Sequence, residues 1–238
     1  MSANPPDLGE KRVAALNEYE IMDTPPEEVF DDISRLTSFI CDTPIACVTL
    51  LDMNRQWFKS RIGLTDSETP IEHAFCAHAI RQEQVFLVPD ATLDERFAQN
   101  PFVTSTPNIR FYAGAPLITA DGVGVGTLCA IDRIPRNLTQ AQQEALTALA
   151  RQVMVAMELR RTVRALDKAL KEKEAALHEV KQLREILPMC SWCRKVRDDE
   201  NFWSHVDDYL ATHSDLRFSH GICPDCAAKV RQQRGQPS

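Results

Sequence analysis

The chain has 238 residues, of which 44% are apolar and 26% charged, with a formal net charge of −7 and eight cysteines. That length suits one sizeable domain plus smaller pieces, and the composition is ordinary for a globular protein. No apolar run approaches the roughly 18 residues that cross a bilayer, and the opening Met1-Ser2-Ala3-Asn4-Pro5-Pro6-Asp7 lacks the basic start and apolar core of an export signal. A cytoplasmic setting with no membrane partner is therefore expected, where thiols stay reduced or bind metal. Residues 1–158 carry 12 basic and 22 acidic side chains, a net of −10. Residues 159–187 carry 8 and 5, and residues 188–238 carry 7 and 7, so a nucleic acid partner has no electrostatic drive.

In chain order, Leu8, Val13, Leu16 and Ile21 recur at helical spacing, and Thr24-Pro25-Pro26-Glu27 ends one helix and starts another. Phe30, Ile33, Leu36, Thr37 and Ile40 mark one face of the second helix. The pattern then turns to strands: Ile45 to Asp52, Gln56 to Arg61 and Val85 to Val88. A stretch with few strand signals, Asp94 to Asn108, precedes Arg110–Leu117 and Gly124–Asp132, which flank a turn at Asp121-Gly122. Thr139 caps a long final helix. This order predicts an α+β domain over residues 8–158, an antiparallel sheet covered by helices on one side.

The helix is expected to run on through residues 159–187. Its apolar positions are Leu159, Val163, Leu166, Leu170, Leu177, Val180, Leu183 and Leu187, with Lys173 in the seam and charge around it. So narrow a stripe asks for a partner helix, which predicts a coiled coil and a parallel homodimer; the 177–180–183 spacing departs from heptad order. Two CxxC pairs follow, Cys190-Ser191-Trp192-Cys193 and, after 29 residues, Cys223-Pro224-Asp225-Cys226. Each pair offers two thiolates on one side of a turn, and two pairs complete the tetrahedral shell of a structural Zn²⁺, one per chain. Cys190, Cys193, Cys223 and Cys226 are the predicted ligands, with His220 as a substitute or neighbour. Iron–sulfur ligation and thiol redox chemistry are the competing uses. The zinc module is placed at residues 188–230, followed by a flexible tail at 231–238.

Several stretches together carry a family likeness: Ile21–Glu27, Gln56–Ser60, Phe75-Cys76-Ala77-His78-Ala79-Ile80, Ile109–Leu117 and Gly126–Asp132. On these, residues 8–160 resemble the GAF domains at the N-termini of bacterial sensor histidine kinases and diguanylate cyclases. The resemblance implies a ligand-sensing or regulatory module feeding a signalling helix, and bacterial signalling proteins as partners. Leu187–Asp199 and Phe218–Cys226 resemble a cysteine module that ends many bacterial response regulators, and with helices around its pairs the module resembles a treble clef. No kinase, nucleotide-binding or cyclase signature follows, so the chain is expected not to be an enzyme.

For the sensor's unidentified ligand, the candidate pocket residues are Cys76, His78, Arg110, Tyr112 and Cys129, with Arg110 as an anion partner and Tyr112 as a hydrogen-bonding group. The alternative is that Asp90, Arg96 and Arg110 tie the crossing loop to the sheet, and that Cys41, Cys47, Cys76 and Cys129 are inert core thiols. Family motifs for bilin attachment, free methionine sulfoxide reduction and cyclic-nucleotide binding do not match these residues. The expected function is signal transduction by a sensor coupled through a dimeric helix to the zinc module. A thiol redox sensor or oxidoreductase using the CxxC pairs is the alternative.

Overall fold

Two amphipathic helices open the described chain, α1 (Leu8–Tyr19) and α2 (Glu28–Cys41). The computed structural model describes residues 8–184, 188–198, 200–213 and 221–234. Phe30, Ile33, Ser34, Thr37 and Cys41 recur every three or four residues and form the buried stripe of α2. The helix ends where Asp42 enters the left-handed region at φ 51°, its N–H reaching the Phe39 carbonyl.

Strands β1 (Ile45–Leu51), β2 (Arg55–Ile62), β3 (Glu68–Pro70), β4 (Phe86–Val88), β5 (Phe111–Ile118) and β6 (Gly124–Asp132) make one antiparallel sheet in the order β3-β2-β1-β6-β5-β4. β1 at its centre is buried at every position, as a strand covered on both faces must be. Helices cover one side of the sheet as expected, and the structure adds a second core on the other. Leu16, Phe30, Val48, Leu50, Trp57, Leu128, Leu146 and Val153 pack between the sheet and helices α1, α2 and α5 (Gln140–Arg184). On the opposite face Cys47, Phe58, Phe75, Phe97, Val103, Tyr112 and Cys129 pack beneath two one-turn helices, α3 (Cys76–Ala79) and α4 (Pro101–Thr104), and the crossing loop. Such short elements leave no periodicity in the sequence, so the second cover is not legible there.

Thr139 caps α5 as expected: its hydroxyl lies 3.3 Å from the Gln142 amide N, and the Gln142 side chain accepts from the Thr139 amide at 3.0 Å. Leu146, Ala150, Val153 and Met157 then bury one face of the helix. The chain divides into two units, Met1–Lys168 and Ala169–Ser238. In the second, β7 (Val196–Arg197) and β8 (Trp203–Ser204) form a hairpin, followed by α6 (Val206–His213) and α7 (Pro224–Arg234). Among the described residues, no helix is long and apolar enough to cross a membrane. Leu187 and His220, and the side chains of Val180 and Leu183, lie outside the described residues.

Candidate functional site

A cavity of about 50 Å³ lies on the sheet face opposite α1, α2 and α5. Cys47 of β1, Phe58 of β2, Tyr112 of β5, and Cys129 and Ile131 of β6 form its floor, and Phe75, Cys76, Phe102 and Ile109 close it from above. Gln56, Asp66, Thr69 and His73 make its polar side. A dry cavity of about 150 Å³ accepts benzene and a water needs about 10–15 Å³, so the room here suits three or four waters or a very small ligand.

Beside the floor sits a buried polar cluster. The Thr49 and Thr127 hydroxyls are 2.9 Å apart, Thr127 Oγ1 lies 3.0 Å from both the Cys76 and Cys129 sulfurs, and the two sulfurs are 3.6 Å apart. The Tyr112 hydroxyl reaches the Cys76 sulfur at 3.3 Å. Gly114 makes this possible, because a Cβ there would come within 2.3 Å of the Tyr112 hydroxyl. Burial pushes the Cys76, Cys129 and Tyr112 protons on, well above their ordinary pKa values. The cluster is thus a neutral array of hydroxyls and thiols in mutual contact, without a ready nucleophile.

Of the predicted pocket residues, Cys76, Tyr112 and Cys129 come together and line the cavity, whereas His78 and Arg110 do not. His78 packs against Phe97, with ring centroids 5.0 Å apart, and burial pushes its pKa down, with Arg96 and Arg81 adding to the effect. Arg110 donates to the Val103 and Ile109 carbonyls at 2.9 and 3.0 Å. Arg96 pairs with Asp94 and lies over the Phe86 ring at 4.8 Å, and Asn100 caps α4 while donating to the His73 carbonyl at 2.9 Å. These polar groups hold the crossing loop.

A second constellation escaped the sequence reading. Phe58 faces Thr49 and Ser60 faces Val48, so Lys59 is the extra residue of a β-bulge in β2. Its side chain, fully buried, leaves the sheet on the helical side and donates to Thr24 Oγ1 at 2.8 Å, the Pro25 carbonyl at 2.7 Å and Glu27 Oε1 at 2.7 Å. Phe30 lies beneath the ammonium, 5.3 Å to the ring centroid. The same Glu27 oxygen accepts from Arg160 Nε of α5 at 2.9 Å, and Arg160 also donates to the Tyr19 and Glu20 carbonyls. Burial pushes the Glu27 carboxyl up, but hydrogen bonds from Lys59 and Arg160 outweigh it and hold the group below its ordinary value. Lys59 is pushed down by burial, with Glu27 opposing. The signal in the sequence was a lysine directly after Trp57-Phe58, where strand burial leaves it no water.

In the second unit the Cys193 amide lies 3.5 Å from the Cys190 sulfur, and the Arg194 and Cys190 amides bond to the Cys190 and Lys195 carbonyls. Backbone N–H groups of the following residues draw the Cys190 and Cys223 thiols below their ordinary pKa. Cys223 directly precedes α7, and Cys226 sits in its first turn. Each pair is a two-sulfur bite. Among the described residues, however, no three His, Cys, Asp or Glu side chains gather as a metal site.

A six-stranded antiparallel sheet with a helical bundle on one face and a looped, cavity-bearing cover on the other defines a sensory-domain fold of the α+β class. The chain belongs to the GAF domain family, whose model matches residues 25–157. The chain is 42% identical over 163 residues, 68% of its length, to a cyclic di-GMP phosphodiesterase of Pseudomonas aeruginosa, and spans 28% of that relative's length. The relative is an enzyme by name, and this overturns the expectation that the chain is not one. Among solved structures it is similar to the GAF domain of an Acinetobacter phosphoenolpyruvate-protein phosphotransferase, at 16% identity and TM-score 0.48, over 67% of this chain and 98% of that one. It is also similar to a free methionine-R-sulfoxide reductase of Neisseria meningitidis, at 15% identity and TM-score 0.48, over 68% and 98%.

Proposed function

We propose that this chain is the sensory element of a cyclic di-GMP signalling system, in which cavity occupancy sets the position of α5 and so regulates the phosphodiesterase activity for which the relative is named. One observation carries this reading. β2 presents Gln56 and Phe58 to the cavity and, from the bulge next along the strand, Lys59 to Glu27, which in turn holds Arg160 of α5. A shift of β2 by a few tenths of an ångström on the cavity side changes short charge-assisted bonds on the helix side, and such bonds are stiff and directional. The relay makes Glu27 the joint between strand and helix.

Beyond the joint, Leu159, Val163, Leu166, Leu170 and Leu177 are each more than half exposed, at 4-3-4 spacing with Lys173 completing the pattern. A second copy of the same helix is the occupant that an a/d stripe fits, because it offers the identical seam in register. The reading therefore includes a parallel dimer whose seam Lys173 weakens. At the C-terminal module we propose one Zn²⁺ held by Cys190, Cys193, Cys223 and Cys226. The support is a CxxC turn, a hairpin and a second pair opening a helix, in that order; the ion would close the two bites onto one point.

The test is cyclic di-GMP concentration in bacteria expressing the full chain, compared with Glu27→Gln and Lys173→Leu variants of equal abundance. A difference between wild type and either variant supports regulation through the joint and the seam. Identical levels in all three, matching an empty-vector strain, would remove the proposal.

A further inference from the structure

On its polar side the cavity holds two groups with nothing to bond to. Gln56 of β2 and Thr69 of β3 are cross-strand partners, and both line the space. Gln56 Oε1 and Thr69 Oγ1 are buried without a hydrogen-bond partner, and the Gln56 residue is only 7% exposed. Buried polar atoms are nearly always paired, so an unpaired acceptor turned to a cavity marks the place where a donor is missing. The third oxygen group on this side is the Asp66 carboxylate, an acceptor at the rim. Among the described residues no lysine or arginine lines the cavity; the cations next to lining residues are committed elsewhere, Arg55 to Asp23, Asp52 and Glu68, Lys59 to Glu27, and Arg110 to the Val103 and Ile109 carbonyls.

The geometry points to Gln56 and Thr69 as the pair that recognises the sensor's ligand, and to a small N–H donor, neutral or cationic, as the class they accept. This rests on the reading of the cavity as the sensor site and deepens it. Gln56 Oε1 accepts only, and the Asp66 carboxylate with no lysine or arginine opposite it repels negative charge, so the site favours an amide or amine over an anion, while the Thr69 hydroxyl can accept or donate. The floor of Cys47, Phe58 and Ile131 and the Phe75 ring above it take a short apolar body, and a cavity of about 50 Å³ limits the whole to a handful of non-hydrogen atoms. Cyclic di-GMP, large and doubly anionic, is excluded on both counts, so the signalling nucleotide and the sensed molecule are different compounds.

Three probes with one ethyl body separate the possibilities: propionamide and propionate, which share a shape, and propylamine, titrated into the full chain by calorimetry and by ligand-observed NMR. Propionamide and propylamine bind, and propionate binds at least tenfold more weakly. Gln56→Met, which keeps the length of the side chain and removes its acceptor, lowers the affinity for propionamide on the order of tenfold. Thr69→Val lowers it by a smaller factor, and circular dichroism of each variant confirms the fold. Propionate binding as tightly as propionamide, or Gln56→Met binding propionamide unchanged, overturns the donor class while leaving the cavity as a ligand site. No binding by any of the three to the folded wild type overturns both.

Discussion

Replacing Lys59 by Met removes the ammonium from a fully buried site while keeping the apolar stem. The Pro25 carbonyl and the Thr24 hydroxyl, 2.7 and 2.8 Å away, lose their donor, and Glu27 keeps only Arg160. A hydrogen bond to a charged group contributes about 1.5–3 kcal/mol, and breaking a buried pair by removing one partner costs about 3–5 kcal/mol. Two effects reduce this: the Lys59 desolvation cost disappears, and Glu27, whose side chain is 35% exposed, regains some water. The expected net loss is about 2–3 kcal/mol, or about 4–12 °C in Tm at about 2–4 °C per kcal/mol for a domain of this size. Urea unfolding followed by tryptophan fluorescence in a Trp203→Phe background measures it, since Trp57 is then the one buried tryptophan, next to the site, and Trp192 is 97% exposed. A double-mutant cycle with Glu27→Gln should return a coupling of about 1 kcal/mol or more. A Lys59→Met loss below about 0.5 kcal/mol, or additive variants, would refute the idea that this joint ties β2 to the helices.

Acid should act on the same joint. The folded pKa of Glu27 lies below its ordinary 4.5, so its contribution is present above that pH and is lost as pH falls through the folded value; the urea midpoint of wild type should drop on this limb more steeply than that of Glu27→Gln. Thiol labelling of the folded chain near pH 7 should modify Cys190, Cys193, Cys223 and Cys226 but spare buried Cys41, Cys76 and Cys129; burial pushes the Cys41 thiol up to about 11. Added Zn²⁺ should protect the first four until a chelator is supplied, and mass spectrometry reads both results. Gly126→Ala should unfold or strongly destabilise the sheet, because its Cβ would stand 1.9 Å from the Thr49 carbonyl oxygen; thermal melting checks this, and a Tm within about 2 °C of wild type would disprove the close β1–β6 approach. Lys173→Leu should tighten self-association at least tenfold in sedimentation equilibrium if the seam pairs two copies, since a buried leucine replaces a charge there.

Local patterns in the sequence determined most of the elements. The α2 helix, the Thr139 cap of α5, the strands β1, β2, β5 and β6 and the hairpin turn at Asp121-Gly122 stand where periodicity and turn chemistry put them, because each depends on neighbours a few residues away, although the expected α2 face is shifted: Leu36 is exposed, and Ser34 and Cys41 are buried instead. The likeness carried by Ile21–Glu27, Phe75–Ile80 and Gly126–Asp132 also pointed to the family that the chain belongs to. Tertiary structure alone decided what those residues do. Cys76, Tyr112 and Cys129 meet because α3 folds down on β5 and β6, over sequence separations of 36 and 53 residues, while Arg110 and His78 are turned to other partners by the crossing loop. Lys59 reads from sequence as one more polar residue of an alternating strand, and only the bulge aims it at Glu27 and, through Glu27, at Arg160. Secondary structure follows from short-range sterics and spacing, whereas a site is a set of distances between residues far apart in the chain, and those exist only once the sheet has closed.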